Sequence, residues 1–366
     1  MSLNISEIQP NFLAELERLV RTESPSEDVA ACENVMKVAQ EIAAKHFATP
    51  AELLFEKSRP VFWWGAKEPE VVLLAHLDTV WPIGSFLPLW EVNGDQISGP
   101  GIFDMKAGFL QALYAVKEVP GAHEKVALIA TSDEEIGTRS SRELIERVAK
   151  QAKAVLVLEA SLDGKVKVGR KGTSMYHITV HGRAAHAGLE PEKGINATVE
   201  IARIVQQLAQ LENPEHGTTV VPTLMKSGTT TNTVPAIAEL DIDARSFLYV
   251  ELERVDHAIR ALSTTHPEAR IEIAGGINRP PLELSSTAAL YERCEKVAAL
   301  LGFEPLGSAS VGGASDGNIA AAAGAPTLDG LGAVGGGAHA RHEYILASSI
   351  SKQIALLTGF IKELCQ

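Results

Sequence analysis

Apolar residues recur along the first 170 positions in two alternating patterns, which predict strands and helices in turn. Continuous apolar runs of strand length lie at 70–80, 125–132 and 154–161. Segments with apolar residues at helical spacing lie between them, at 104–119 and 141–150. Fully apolar strands separated by helices are typical of a buried sheet covered on both faces. This part of the sequence therefore predicts an α/β domain.

The pattern changes near Gly172, where apolar and polar residues begin to alternate as they do in a half-exposed strand. Up to residue 281 the predicted order is β-α-β-β-α-β, which is compatible with a small ferredoxin-like α+β sandwich. Helical segments of the first type then return. We therefore predict a catalytic domain formed by residues 1–171 and 282–366, with residues 172–281 inserted as a second domain.

Composition restricts the classes of partner. The chain has 366 residues, enough for two domains, and 45% of them are hydrophobic. Thirty-three basic residues stand against 46 acidic ones, and the net charge of −13 disfavours nucleic acid and anionic membranes as partners. No apolar run approaches 18 residues, so we expect no transmembrane helix. The three cysteines, Cys32, Cys294 and Cys365, are far apart and predict reduced thiols in the cytoplasm.

Histidine and carboxylate side chains lie beside the predicted strand ends and glycine-rich segments. They are His76, Asp78, Asp104, Glu134, Glu135, Glu159 and His339. Ligands of open α/β sheets collect at the carboxyl ends of strands, so these groups could converge. A set without thiolates suits zinc, cobalt or manganese, and its size matches two metal ions that share a bridging carboxylate and a water. The alternative is a solvated turn in which the neighbouring acids of 133–135 merely repel one another.

Five motifs in order resemble the co-catalytic dizinc metallopeptidases. They are HLDTV, GPGIFDMKAG, SDEEIG, LEAS and HARHE. This family includes glutamate carboxypeptidase, acetylornithine deacetylase and succinyl-diaminopimelate desuccinylase. The resemblance covers essentially the whole chain. It implies a mixed-sheet catalytic domain with helices on both faces and an inserted domain that serves for dimerisation and as a lid.

The resemblance also implies roles for the strand-end residues. One Zn²⁺ takes His76 and Glu159, the other takes Glu135 and His339, and Asp104 bridges them. Asp78 orients His76, and Glu134 is the general base. The resemblance assigns no role to Asp133, which we expect to be a solvated or helix-capping acid. A cis peptide bond after Asp104 is also implied.

Further residues match the substrate-binding positions of the family. His186 corresponds to a histidine that a partner subunit supplies to stabilise the oxyanion, which implies a homodimer. Arg245 is similar to a residue that grips a substrate carboxylate, and Lys171 could add a second cation. Asn232 matches another family position. In the loop VGGASDG, Gly313 and Ser315 match substrate-binding positions, although Ala314 replaces the hydroxyl residue that is common there.

We predict from these residues a dinuclear zinc amide hydrolase of the carboxypeptidase type in which a metal-bridging water is the nucleophile. Its substrate would be a small molecule with a free α-carboxylate, such as a C-terminal glutamate peptide or a folate-type amide. One alternative is an N-acyl amino acid deacetylase or desuccinylase of the same family. The others are an inactive metal-binding scaffold and a plain binding module whose strand-end acids are coincidental.

Overall fold

The structure, a computed structural model, describes residues 5–366, with side chains from Pro10 onward. Its α-helices are α1 Ile5–Arg21, α2 Val29–His46, α3 Ala107–Lys117, α4 Ala122–Lys125, α5 Arg142–Ala149, α6 Ala197–Leu208, α7 Tyr249–Arg260, α8 Leu284–Leu300, α9 Asp316–Ala322 and α10 Ile350–Leu364. Within the described residues, no helix combines the length and the apolar character needed to cross a membrane.

The strands are β1 Glu52–Glu56, β2 Arg59–Gly65, β3 Val71–His76, β4 Glu91–Asn93, β5 Gln96–Ser98, β6 Val126–Thr131, β7 Ala154–Val157, β8 Val166–Arg170, β9 Gly172–His181, β10 Thr219–Ser227, β11 Ile237–Ser246, β12 Arg270–Arg279, β13 Ser308–Val311, β14 Thr327–Leu328, β15 Gly335–Gly336 and β16 Tyr344–Leu346. Short strands also form two small sheets, β15-β16-β5-β4 and β13-β8.

The chain divides into two compact units. The first contains the chain up to Gly169 together with residues 283–311 and 315–366. The second contains Arg170–Leu282 and also Gly312–Ala314, a short segment that the sequence boundaries assigned to the catalytic domain. The Gly312 and Gly313 carbonyls accept hydrogen bonds from Arg245 and Arg170 of the second unit, which explains this grouping.

A six-stranded mixed sheet forms the centre of the first unit, in the order β1-β2-β6-β3-β7-β14. The four neighbouring strands β6, β3, β7 and β14 are parallel to one another. Strand β2 pairs with β6 and with β1, and both of these pairings are antiparallel. Successive side chains of a strand point to opposite faces, and both faces of β3 are buried: Leu73 belongs to one apolar cluster and Leu74 to the other. Helices α1, α2, α3, α8 and α10 contribute to the first cluster, α5 and α9 to the second. The predicted α/β fold with a covered mixed sheet is thus confirmed.

The second unit contains the predicted order β9-α6-β10-β11-α7-β12. Its antiparallel sheet has the order β10-β11-β9-β12. Tyr176 and Ile178 of β9 pack with apolar residues of α6 and α7, whereas Met175, which points to the opposite face, is 52% exposed. One covered face explains the alternating pattern that the sequence shows here.

One predicted helix begins differently. The segment predicted as helix from residue 104 starts with a turn over Ile102–Lys106, and α3 follows it. Asp104 and Met105 have non-helical backbone angles, and the peptide bond between them is cis, as the family resemblance implied. The Asp104 side chain therefore lies outside the regular helix.

Candidate metal centre

The acids and histidines of the first unit follow adjacent strands of the central sheet. His76 is the last residue of β3, Glu135 follows β6, and Glu159 follows β7. Because β6, β3 and β7 are neighbouring parallel strands, these three residues lie at the same edge of the sheet. Asp104 comes from the turn before α3, and His339 from the loop between β15 and β16.

Asp104 lies between the two histidines. Its Oδ1 atom is 3.4 Å from Nε2 of His76, and its Oδ2 atom is 3.3 Å from Nε2 of His339. Each carboxylate oxygen thus faces a different imidazole. This is the arrangement that a bridging carboxylate requires.

A glutamate accompanies each histidine. Nε2 of His339 is 3.0 Å from Oε1 of Glu135, and Nε2 of His76 is 3.7 Å from Oε1 of Glu159. Ligand atoms of His76, Asp104 and Glu135 all lie within 4.8 Å of one another. The structure therefore brings all five predicted metal ligands together, in the two groups implied by the resemblance.

The donor set fits divalent cations. Nε2 of His76 is buried and has no hydrogen-bond partner, although it faces two carboxylates. Burial raises the pKa of Glu135 to about 8, although its hydrogen bond with His339 acts in the opposite direction. Burial also disfavours ionised Asp104, but the two histidines outweigh it and hold the pKa of Asp104 well below its ordinary value. Cations between these oxygens would keep the carboxylates ionised and would give His76 a partner.

Asp78 connects His76 to the loop after β6. Its carboxylate is fully buried and accepts hydrogen bonds from the Ser26 hydroxyl at 2.7 Å and from the Glu135 amide at 3.2 Å. The predicted contact with the His76 ring is looser than expected. Nδ1 of His76 is 3.4 Å from the Asp78 carboxylate but 3.1 Å from the backbone carbonyl of the same residue. Both oxygens can thus accept the ring N–H and direct Nε2 toward Asp104.

The three neighbouring acids differ in their surroundings. Asp133 is 1% exposed, so the solvated alternative for this residue is wrong. Its carboxylate accepts hydrogen bonds from the Ser140 amide at 2.7 Å and from the Ser141 amide and hydroxyl. Both residues precede α5, whose N-cap residue is Ser141, so Asp133 fastens the turn before the helix and does not cap the helix itself. Glu134 is 7% exposed and lies directly before the candidate ligand Glu135.

Two further buried acids hold the loops of the site, and the sequence did not single them out. Glu343 accepts hydrogen bonds from three amides of the Asp104 turn, those of Gly101, Phe103 and Asp104, at 3.1, 2.9 and 3.0 Å. Burial raises the pKa of Glu343 to about 7. Glu343 is the last residue of the motif HARHE, and its place in that motif was the available signal for it.

The second of these acids is Asp316. It accepts hydrogen bonds from the Thr131 hydroxyl at 3.1 Å and from the Thr138 hydroxyl at 2.5 Å. These two threonines stand at either end of the segment that carries the three neighbouring acids. Asp316 therefore fixes that segment. In the sequence, only its position in the glycine-rich motif GGASDG could have indicated that Asp316 has a role in the site.

The predicted substrate-binding residues, apart from Ser315, lie in the second unit. Arg245 donates to both carboxylate oxygens of Asp243, at 2.8 and 2.9 Å, and to the Gly312 carbonyl at 3.2 Å. Lys171 lies over the ring of Phe247, and burial, followed by the charge of Arg245, lowers its pKa. The guanidinium predicted to be available for a substrate carboxylate is thus already engaged, which the sequence did not reveal.

His186 and Asn232 lie in exposed loop segments that pair with each other. The Ala187 amide donates to the Asn232 carbonyl at 2.9 Å. Nδ1 of His186 faces the amides of Gly188 and Leu189, each at 3.1 Å. Because Nδ1 accepts these bonds, the neutral ring carries its proton on Nε2.

Ser315 differs from its predicted role. Its hydroxyl is buried, donates to Asp329 at 2.7 Å and accepts from the Gly317 amide at 3.1 Å at the start of α9. It caps this helix, since a serine oxygen at such a position satisfies an otherwise unpaired amide. The backbone carbonyl of Gly313 accepts a hydrogen bond from Arg170 at 3.0 Å.

Comparison with known proteins agrees with this geometry. The model of peptidase family M20/M25/M40 matches residues 72–363. The chain belongs to this family. It is an enzyme of the metallopeptidase and hydrolase class, whose members use divalent metals.

Relatives within the M20/M25/M40 family have more than one activity. Carboxypeptidase G2 from Pseudomonas sp. (strain RS-16) is 30% identical over an alignment of 315 positions, which covers 80% of this chain and 74% of the relative. Succinyl-diaminopimelate desuccinylase from Halorhodospira halophila is 27% identical over an alignment of 373 positions, which covers 94% of this chain and 96% of the relative. Among solved structures, aminopeptidase PepT from Bacillus cereus has a TM-score of 0.81 at 23% identity and covers 98% of this chain and 99% of its own. That last likeness concerns the fold.

Proposed function

We propose that this protein is a dinuclear zinc amide hydrolase of the carboxypeptidase type, acting on a small substrate with a free α-carboxylate. The observation that carries the proposal is the position of Asp104, whose two oxygens each face a different histidine. The 30% identity to a carboxypeptidase supports the reaction class. The match to a desuccinylase supports N-acyl amino acid hydrolysis as the second candidate.

The metal ligands would be His76 and Glu159 for one ion and Glu135 and His339 for the other, with Asp104 shared. When bound, two divalent ions polarise the scissile carbonyl and lower the pKa of the attacking water. Co²⁺ or Mn²⁺ could replace Zn²⁺, because the donors are nitrogen and oxygen atoms only.

Glu134 is the proposed general base. It directly precedes a metal ligand, and its own amide faces the Asp78 carboxylate at 3.4 Å. The Asp78 carboxylate therefore fixes the backbone of Glu134 and Glu135 together. Glu134 would take a proton from the water and give it to the leaving nitrogen.

The second unit would supply substrate contacts. With its proton on Nε2, His186 can donate to an oxyanion, and we assign this role to the His186 of a partner chain in a homodimer. Lys171 and Arg245 would attract the substrate carboxylate. Because the Arg245 guanidinium is paired with Asp243, a substrate carboxylate would have to compete with the Asp243 carboxylate for it.

The test compares zinc content and turnover in purified variants. Glu134→Gln should retain two zinc ions per chain and lose roughly 10²-fold or more in kcat. Glu124→Gln, at a side chain that is 75% exposed, is the matched control and should be unchanged. Unchanged turnover in Glu134→Gln would exclude its role as base, and fewer than two ions per chain after zinc loading would exclude the dinuclear centre.

A mixing experiment tests the partner role of His186. Chains with His186→Ala and chains with Glu134→Ala are each expected to be inactive. If the two are refolded together, mixed dimers should regain activity, because one active site then contains both unchanged residues. Absence of recovery, with mixed dimers shown by mass spectrometry, would contradict the cross-subunit role.

A further inference from the structure

The connection between α1 and α2, residues 22–28, lies against the loop that follows β3. Pro25 and Thr79 form an isolated parallel bridge between the two segments. The Thr79 amide donates to the Ser24 carbonyl at 2.8 Å, and the Ser26 amide donates to the Thr79 carbonyl at 3.0 Å. The connection is thus fastened to this loop by its backbone, although it precedes the part of the chain that the family model matches.

Two buried serine hydroxyls of this connection donate to consecutive residues of the loop. Oγ of Ser24 donates to the Leu77 backbone carbonyl at 2.6 Å, and Oγ of Ser26 donates to Oδ2 of Asp78 at 2.7 Å. The Ser26 hydroxyl also lies 3.3 Å from the Thr79 carbonyl, but the carboxylate is closer and charged, and charged acceptors form the stronger bonds. The two serines therefore match in burial and distance and differ in the acceptor.

The Asp78 carboxylate contacts both the ring of a candidate metal ligand and the backbone of the acids after β6. Oδ1 lies 3.4 Å from Nδ1 of His76 and 3.4 Å from the Glu134 amide, and Oδ2 accepts from the Glu135 amide at 3.2 Å. The bond from Ser26 is shorter than these three contacts, and 2.7 Å is the usual length of an O–H···O bond. The Ser26 hydroxyl therefore fixes Oδ2 and, with it, the rotation of the carboxylate that turns Oδ1 toward the imidazole.

A second oxygen of Asp78 faces the same imidazole. The backbone carbonyl of Asp78 lies 3.1 Å from Nδ1 of His76. This carbonyl belongs to the peptide whose N–H, that of Thr79, donates to the Ser24 carbonyl. Because backbone bonds hold it, it stays in place when a serine hydroxyl is removed. The hydroxyl of Ser26 thus supports the carboxylate and not the carbonyl.

We propose that Ser26 is a positioning residue of the metal centre, acting through the Asp78 carboxylate on the ring of His76 and on the backbone of Glu134 and Glu135. Groups that hold a ligand's hydrogen-bond partner set the orientation of that ligand and tune its affinity for metal. The inference deepens the proposed function, on whose metal site it rests, because it assigns that site a residue of the α1–α2 connection.

The first experiment titrates zinc into metal-free Ser26→Ala and Ser24→Ala with a chelating dye. Both substitutions remove a buried hydroxyl of the same connection, so both should lower Tm by a similar amount, roughly 2–6 °C. Only Ser26→Ala should weaken zinc binding. We expect a decrease of roughly tenfold, the lower end of the range for such groups, because the Asp78 carbonyl still faces His76. Equal zinc affinities in the two variants would overturn the inference and leave the proposed function standing.

A measurement on the metal-free protein separates the two proposals. Nitrogen-15 spectra of the histidine rings at a fixed pH, with the His76 signals assigned from His76→Gln, report the surroundings of Nδ1 without zinc. Ser26→Ala should shift the Nδ1 signal of His76, whereas Ser24→Ala should leave it in place. An unshifted signal in Ser26→Ala would contradict the role of Ser26. If the unmodified protein binds fewer than two zinc ions, the proposed dinuclear centre fails, and the ring spectra alone decide whether Ser26 positions His76.

Discussion

Replacing Glu343 with alanine tests how the turn that carries Asp104 is held. The Glu343 side chain is almost fully buried and accepts three backbone N–H groups of that turn, at 2.9–3.1 Å. Alanine would leave all three without an acceptor. Each orphaned buried donor costs about 1–3 kcal/mol.

Part of that cost can be recovered. Asp104 has 15% of its side chain exposed, so water can reach its amide more easily than the others. The low end of the range is therefore appropriate, which gives a loss of about 3 kcal/mol in the free energy of unfolding. In a unit of this size, 1 kcal/mol lowers Tm by about 2–4 °C, so the expected decrease is about 6–12 °C.

The assay is thermal unfolding at about pH 8, combined with zinc titration against a chelating dye. Zinc affinity should fall roughly 10–100-fold, as is usual when a group that orients a ligand is lost. Glu343→Gln keeps one acceptor oxygen but places an NH₂ group toward one of the amides, so its effects should be intermediate. The control is Glu52→Ala, which removes an exposed ion pair with Lys67 worth about 0–1 kcal/mol. If Glu343→Ala changed Tm and zinc affinity no more than this control does, Glu343 would not be the group that holds the turn of Asp104.

Two further predictions concern the scaffold of each unit. Gly108→Ala should destabilise the first unit by about 3 kcal/mol in denaturant unfolding, because the added Cβ would lie 2.1 Å from the Leu158 carbonyl oxygen. Gly312→Ala, where nothing lies within 4 Å of the added atom, should change stability by less than about 0.5 kcal/mol; equal effects would contradict the close approach. In the second unit, the hydrogen bond from Arg254 lowers the pKa of Glu251 from 4.5 to about 2, so its ionised form is favoured by folding. This contribution is present above pH 4.5 and is lost as the pH falls toward 2, so Glu251→Gln should be less stable than the unmodified chain at about pH 7 and equally stable near pH 2; a difference independent of pH would refute it.

Local sequence patterns were sufficient for the parallel strands at the site and for the edge of the sheet that carries it, but they did not predict β1 and β2 of the same sheet. Continuous apolar runs predicted β3, β6 and β7, because parallel strands covered on both faces leave no polar side. Alternation after Gly172 predicted a sheet with one covered face. His76, Glu135 and Glu159 could then be assigned to one edge, because carboxyl ends of parallel strands meet there.

The individual contacts of the polar residues at the site depended on the tertiary structure. Local spacing does not distinguish Asp133, Glu134 and Glu135, and only the family resemblance gave them different roles. The path of the chain places Asp133 beside the turn before α5 and Glu135 beside His339. The hydroxyl of Ser315 and the guanidinium of Arg245 were likewise assigned to substrate, but the structure engages them with Asp329 and Asp243.

What the sequence by itself determined was therefore the main strands and helices around the site and the chemical types at their ends, since both follow from short-range spacing. What only the tertiary structure decided was the partner of each polar group. Glu343 lies about 240 positions from the amides whose hydrogen bonds it accepts, and no local sequence pattern can indicate such a distant contact.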